Sequence, residues 1–288
     1  MGRRREKRMS HNNLSKSCDH YVADFELVEK QPITDGKGPY FTGVDLGTAY
    51  IVLVVTDENK KIVAGTHRSA SVVRDGMVVD YIGAVQIVRE LKEDLEKKLD
   101  TELVYASAAI PPETDLLDGG VIKNVIQSAG FELTAILDEP TAANTIIGMK
   151  DGVIVDIGGG TTGISVVKNG EVIKCVDKPT GGTHFTLVVS GAYHMPYEEA
   201  DRYKRNPANH KELLTILKPV VEKIASIISK NIKGLDVDTI FLVGGTSCLT
   251  GIEQIIEKET QIKTIKPQNP MFVTPIGIAM NCTDEIIY

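Results

Sequence analysis

The chain has 288 residues, 42% of them hydrophobic and 25% charged, with a formal net charge of −7 and four cysteines. That length accommodates one large or two medium domains, and the composition is that of a soluble globular protein with apolar residues enough for two cores. The acidic balance argues against nucleic-acid binding by the body of the protein, no apolar run approaches the length of a membrane span, and no CxxC pair sets up zinc or redox chemistry.

The N-terminus carries a basic cluster (Arg3, Arg4, Arg5, Lys7, Arg8) with no apolar stretch behind it, so it does not read as a secretory signal. Residues 1–39 are expected to be a flexible extension, within which 21–28 has the pattern of one or two amphipathic turns and 35–39 (DGKGP) is a joint. Strands are expected at 51–55 and 61–64, then a short D-G turn at 75–76. Apolar residues Ala84, Ile87, Val88, Leu91, Leu95 and Leu99 have helical spacing, with Arg89, Lys92, Glu93, Glu96 and Lys97 on a solvated outer face. A strand over 103–110 stops at Pro111-Pro112, a helix covers 116–129 with Gly130 as its stop, and a strand over 131–137 delivers Asp138-Glu139-Pro140 to a helix at 141–148.

The β-branched run 153–155 leads into Asp156 and three glycines, Gly158, Gly159 and Gly160, followed by Thr161, Thr162 and a second strand at 164–167. Glycine permits a tight turn whose amides can face an anion, and the threonines add hydroxyl donors. The same device occurs earlier: 43–48 reads GVDLGT, with Asp45, Gly47 and Thr48, and again two strands follow. Asp45 and Asp156 therefore hold equivalent places in two βββ units, which is evidence of internal duplication. Each supplies a carboxylate and a Gly/Thr turn, the materials of a clamp for polyphosphate and Mg²⁺.

Further along, Gly181-Gly182 opens a helix running through Ser190 and is a second potential anion site. A charged helix at 196–205 places Asp201 and Lys204 three apart on one face, where a surface ion pair is the plain expectation. A long helix covers 211–232, and a strand at 239–243 ends in Gly244-Gly245-Thr246-Ser247, where the backbone can approach a flat ring. Ser247 is placed to cap a helix over 249–259. A terminal helix begins near Pro275-Ile276-Gly277. Cys175 and Cys248 sit in apolar surroundings and read as small core residues of a reducing compartment.

The order of these motifs resembles the actin-like ATPase superfamily over roughly residues 40–282. GVDLGT (43–48) is similar to its first phosphate motif, DIGGGTT (156–162) to its second, LDEPTAAN (137–144) to its first connecting motif and LVGGTS (242–247) to its adenosine motif. The resemblance implies an α/β fold of two ribonuclease H-like lobes with a nucleotide cleft between them. Lobe I would comprise 40–150, with a small insert near 69–100, completed by 272–288. Lobe II would comprise 151–271, with a helical insert near 190–233. It implies ATP and Mg²⁺ as ligands, the metal held by Asp45 and Asp156 largely through water. Gly47, Thr48, Gly158, Gly159, Gly160, Thr161 and Thr162 would cradle phosphates, Glu139 would orient the attacking water, and Gly181, Gly182, Asp201, Lys204, Gly244, Gly245 and Thr246 would surround the nucleoside. Small residues at 141–144 and 277–279 would serve as hinges.

A narrower resemblance runs through VVRDGMVVDYIGAV (72–85), VDIGGGTTGISVVKNG (155–170), TGGTHFTLVVSG (180–191) and EEADRYKR (198–205), which are similar to the ethanolamine-utilisation EutJ family. That family implies a chaperone-like ATP switch that assists assembly or maintenance of microcompartment enzymes through protein partners, in the cytosol or the compartment. The chain ends at Tyr288, where DnaK-type chaperones continue into a peptide-binding domain, and no lysine falls where they place a catalytic one. Turnover is accordingly expected to be slow. The alternatives are an actin-like filament or scaffold and a pseudo-ATPase that binds without turnover; a small-molecule kinase lacks a substrate-binding insert here.

Overall fold

The computed structural model describes the backbone of residues 2–34, 38–74, 76–111 and 116–287, and the side chains of these from residue 14 onward except 116–118. Residues 35–37 of the expected joint, Asp75 of the D-G turn and Pro112 lie outside the described residues. The chain divides into two compact units, one of Lys16–Gly148 with Phe272–Tyr288, the other of Met149–Met271 with Met1–Ser15.

The N-terminal segment departs from expectation. Gly2–Lys30 is a single helix, α1. Cys18, Val22, Phe25 and Val28, at helical spacing, are all buried. Phe25 packs against Phe272 at 4.5 Å between ring centroids and lies over Gly65, where a Cβ would collide with its ring. Burial of four apolar side chains makes residues 16–30 part of the unit's packing, where a flexible tail was expected.

In the first unit β1 (Phe41–Leu46), β2 (Tyr50–Thr56) and β3 (Ile62–Ser69) form an antiparallel meander. A two-stranded ribbon follows, β4 (Val73–Arg74) with β5 (Met77–Val78). The helix α2 (Tyr81–Leu99) is capped by Asp80, whose carboxylate accepts the Gly83 amide. Then come β6 (Tyr105–Ile110), α3 (Leu116–Ser128), β7 (Glu132–Asp138) and α4 (Glu139–Ile147). The sheet order is β3-β2-β1-β6-β7, with β1-β6 and β6-β7 parallel. The core lies between this sheet and the apolar faces of α2 and α3. On α2, Lys92 is buried, contrary to the solvated face expected of it: its amine pairs with Glu96 and lies 5.2 Å from the centre of the Phe131 ring, and Glu96 also accepts the Leu103 amide.

The second unit repeats the plan. Its strands are β8 (Gly152–Ile157), β9 (Thr162–Lys168) and β10 (Glu171–Lys178); its helices α5 (Gly182–Tyr193), α6 (Tyr197–Arg205) and α7 (His210–Ile232) follow. Then β11 (Thr239–Val243), α8 (Ile252–Thr260) and β12 (Lys263–Ile265) complete it, in the order β10-β9-β8-β11-β12. Its core is formed largely by β8, β9 and β11 against α7 and α8.

The chain then contributes α9 (Val273–Met280) to the first unit. This helix approaches its neighbours at backbone distance: a Cβ on Gly277 would collide with the Ala142 carbonyl of α4, and one on Gly43 of β1 would lie 2.7 Å from Ala279 Cα. The small residues are therefore required by close packing. Of the cysteines, Cys18 and Cys282 are the buried ones and Cys175 and Cys248 are half-buried, the reverse of what their sequence neighbourhoods suggest; all four are free thiols. No helix among the described residues is long and apolar enough to cross a membrane.

Candidate functional site

The two hairpins have the same register. In β1-β2 the last pair is Leu46 with Ile51, and Asp45 stands one pair earlier opposite Val52. In β8-β9 the last pair is Ile157 with Thr162, and Asp156 stands one pair earlier opposite Gly163. Residues 47–50 and 158–161 thus close the two turns with equal length, and both carboxylates are half-buried at strand ends. A strand alternates its side chains, so a penultimate position fixes the face each Asp takes.

In the first unit Glu139 starts α4 at the carboxyl end of β7, in the same sheet as Asp45. The cap of α4 is Asp138, whose carboxylate accepts the Thr141 amide at 2.9 Å. Glu139 is the residue after the cap and is half-buried. Gly47 and Thr48 lie in the β1-β2 turn; a Cβ on Gly47 would come 2.8 Å from the Tyr50 carbonyl oxygen.

In the second unit the glycine turns are assembled against one another. The Gly158 amide closes its turn on the Thr161 carbonyl at 3.0 Å. The Gly158 carbonyl accepts the Gly182 amide at 2.9 Å and the Thr246 hydroxyl at 2.7 Å. The Gly159 carbonyl accepts the Thr183 amide at 2.8 Å and its hydroxyl at 3.0 Å. The Gly158 and Gly159 carbonyls are thereby held by protein, while the amides of Gly159 and Gly160 have no main-chain partner among the described residues. Such amides are anion donors. At Gly181 a Cβ would lie 2.8 Å from the Gly158 oxygen, and at Gly182 one would lie 2.6 Å from Thr246 Oγ1, so only glycine allows the three turns to touch.

These contacts correct three expectations. The first amides of α5 are already bonded to Gly158 and Gly159, so the α5 terminus is not a separate anion site. Thr162 is fully buried in β9 and its hydroxyl donates to the Thr180 carbonyl; its hydroxyl supports the approach to Gly181 and is not turned to a ligand. Ser247 does not cap α8: a 3-10 turn, Gly245–Cys248, intervenes, Ser247 donates back to Val243, and α8 starts after Gly251.

Asp201 and Lys204 form more than a surface pair. Lys204 Nζ lies 2.8 Å from Asp201, donates to the Gly182 carbonyl at 3.0 Å and to the Thr186 hydroxyl at 2.7 Å. Asp201 also accepts from Thr186 and pairs with Arg205. Burial pushes the Asp201 carboxyl up, but the Lys204 ammonium, Arg205 and the Thr186 hydroxyl outweigh it and hold it below its ordinary value. Burial dominates for Lys204, whose amine is lowered despite the attraction of Asp201. Lys204 thus stands behind the Gly182 backbone. The Gly244–Thr246 turn follows β11, with Gly244 half-buried and Gly245 exposed. Among the described residues no group of three or more His, Cys, Asp or Glu side chains is arranged to hold a metal ion. His210 and Lys266 also brace this region and have no motif that would announce them; both act through partners distant in sequence.

Two units of identical strand order, each closing its first hairpin with an Asp and a glycine turn, define the actin-like ATPase fold. Solved structures agree: the chain superimposes on MreB5 of Spiroplasma citri bound to AMPPNP with a TM-score of 0.66 at 16% identity, covering 84% of this chain and 95% of that one. The family model of the MreB/Mbl protein matches residues 42–191, and that of the type IV pilus assembly protein PilM residues 137–275. The chain belongs to the ethanolamine utilization protein EutJ family. It is 40% identical to the EutJ protein of Salmonella typhimurium over 84% of this chain and 85% of that one. The crystal structure of EutJ from Carboxydothermus hydrogenoformans superimposes with a TM-score of 0.87 at 43% identity, over 92% of this chain and 98% of that one.

Proposed function

We propose that this protein binds Mg²⁺-ATP, hydrolyses it slowly, and serves as a chaperone-like switch for protein partners of ethanolamine utilisation, assisting assembly or upkeep of enzymes that work in the cytosol or a microcompartment. The observation that carries the reading is the shared register of the Asp45 and Asp156 hairpins. The donor set fits the ligand. The amides of Gly159 and Gly160 and the hydroxyls of Thr48 and Thr161 suit phosphate oxygens, and two half-buried strand-end carboxylates suit a hard cation held through water. Mg²⁺, when bound, would neutralise charge on the phosphates. Gly181, Gly182, Gly244, Gly245 and Thr246 would border the nucleoside, with Asp201 and Lys204 behind them.

Glu139 would orient the lytic water. Its neighbour Asp138 caps α4, so the helix start does not depend on Glu139 for that bond. Phosphoryl transfer is governed by positioning and charge, and loss of one water-orienting group costs on the order of 10²-fold in rate. Glu139→Gln should keep ATP affinity and lower single-turnover hydrolysis by that factor. Hydrolysis at the wild-type rate would make Glu139 structural and remove the switch mechanism. The MreB/Mbl match over 42–191 favours a second reading, an actin-like filament. Light scattering that rises on addition of ATP would support the filament; a flat signal with turnover supports the switch.

A further inference from the structure

We propose that His210 is a positioning residue for nucleotide binding: as a neutral imidazole it ties the turn after Gly244–Thr246 to the carboxyl end of α6, holding the two segments at the separation the nucleoside requires. The proposal rests on the nucleotide reading above.

His210 is the first residue of α7 and is 5% exposed. Its Nδ1 accepts the Thr250 amide at 3.1 Å and lies 3.0 Å from the Thr250 hydroxyl. Its Nε2 lies 3.2 Å from the Lys204 carbonyl oxygen. An amide can only donate and a carbonyl can only accept, so Nδ1 is bare and Nε2 carries the hydrogen. One tautomer of the neutral ring satisfies both ends. The bonds continue on each side. Lys204 Nζ donates to Gly182, whose amide donates to Gly158. On the other side Lys266 donates to the carbonyls of Ser247 and Leu249 at 2.8 and 2.9 Å and pairs with Glu253 of α8 at 3.0 Å. A hydrogen-bonded path thus runs from Thr250 through His210 and Lys204 to the Gly158 turn.

A second proton on Nδ1 would set donor against donor at the Thr250 amide. The charged groups joined to this link are Asp201, Lys204 and Arg205 of α6, Glu253 of α8 and Lys266 after β12; Lys211 and Glu212 follow His210 on α7. Burial chiefly, then Lys266, holds the imidazole below its ordinary value, against the Lys204 carbonyl, which favours the proton. Acid should therefore open the link between Thr250 and α6 and weaken nucleotide binding.

The test is Mg²⁺-ATP affinity by calorimetry between pH 7.5 and 5.0 for wild type, His210→Gln and His210→Asn. Gln can keep the donor to Lys204 and Asn the acceptor for Thr250; neither titrates. Each variant should lose about tenfold in affinity at pH 7.5, the order expected for one buried hydrogen bond. The wild-type advantage should narrow as the pH falls below 6.5, the ordinary imidazole value. The phosphate's own titration cancels in the wild-type-to-variant ratio. A ratio independent of pH, or variants that bind as wild type at pH 7.5, would overturn the proposal and leave the nucleotide reading standing. No binding by wild type at pH 7.5 would remove the reading and this proposal with it. If neither variant folds, the wild type still decides by linkage: saturating Mg²⁺-ATP must lower the pH at which the His210 ring, followed by nitrogen NMR, takes its second proton. An unchanged titration overturns the proposal.

Discussion

Gly244 lies against Asp156: at φ +86° it occupies a backbone region that side chains avoid, and a Cβ there would collide with Asp156 Oδ1 and the Ile157 carbonyl. The register explains the contact. Val243 pairs with Asp156 across β11-β8, so the next residue turns over the strand end that carries the carboxylate. The turn expected to meet a nucleoside and the carboxylate expected to hold its metal are thus set by one glycine. Gly244→Ala should combine backbone strain of about 1–3 kcal/mol with displacement of the Asp156 carboxylate. The variant is expected to melt several degrees lower and to bind Mg²⁺-ATP more weakly. Unchanged melting and affinity would show that the turn adapts.

Phe25 is fully buried and meets Phe272 and the face of Gly65. Phe25→Ala should destabilise the Lys16–Gly148 unit by about 3–5 kcal/mol, the usual cost of emptying an aromatic site. Removal of residues 1–30 should lower the melting temperature markedly, the opposite of what a polar N-terminal sequence suggests. Thermal denaturation of the truncated chain checks this; an unchanged midpoint would mean that α1 contributes nothing to the packing.

What the sequence discloses follows from the range of the interactions involved. The hairpins at Asp45 and Asp156 are legible because a glycine turn between β-branched runs is a local code. The strands are placed within a few residues; β3 runs longer than expected, into polar residues that its sheet pairs through the main chain. The α1 helix was half visible: 21–28 shows two turns, and only the addition of Cys18 at the same spacing makes the stripe. A polar, basic start outweighed it. Ser247 reads as a helix cap, yet it donates back to Val243 four residues earlier; Lys92 reads as exposed face because its partner Phe131 is brought to it by tertiary packing. His210 and Lys266 are invisible for the same reason. Their bonds to Thr250 and to Ser247 cross 40 and 19 residues respectively, and no spacing rule reports such pairs.

Asp201 should make stability depend on pH in a defined window. Its folded carboxyl sits below the ordinary value of 3.8, so its contribution is complete above that value and is lost as pH falls through the folded one. Asp201→Asn should be less stable than wild type at pH 7, with the gap closing as the pH falls below 3.8. Urea midpoints measured across pH 7 to 2 test this. A gap that persists undiminished at pH 2 would assign the loss to packing and not to charge.

The central claim is that the Asp45 and Asp156 hairpins hold one kind of ligand, Mg²⁺ with a nucleoside triphosphate. Calorimetric titration of ATP with and without Mg²⁺, on wild type, Asp45→Ala and Asp156→Ala, tests it most directly. The account predicts tight binding by wild type that weakens when Mg²⁺ is withheld, and weakened Mg²⁺-ATP binding in each variant with the fold retained. Equal affinity with and without Mg²⁺, or variants that bind as the wild type does, would contradict it.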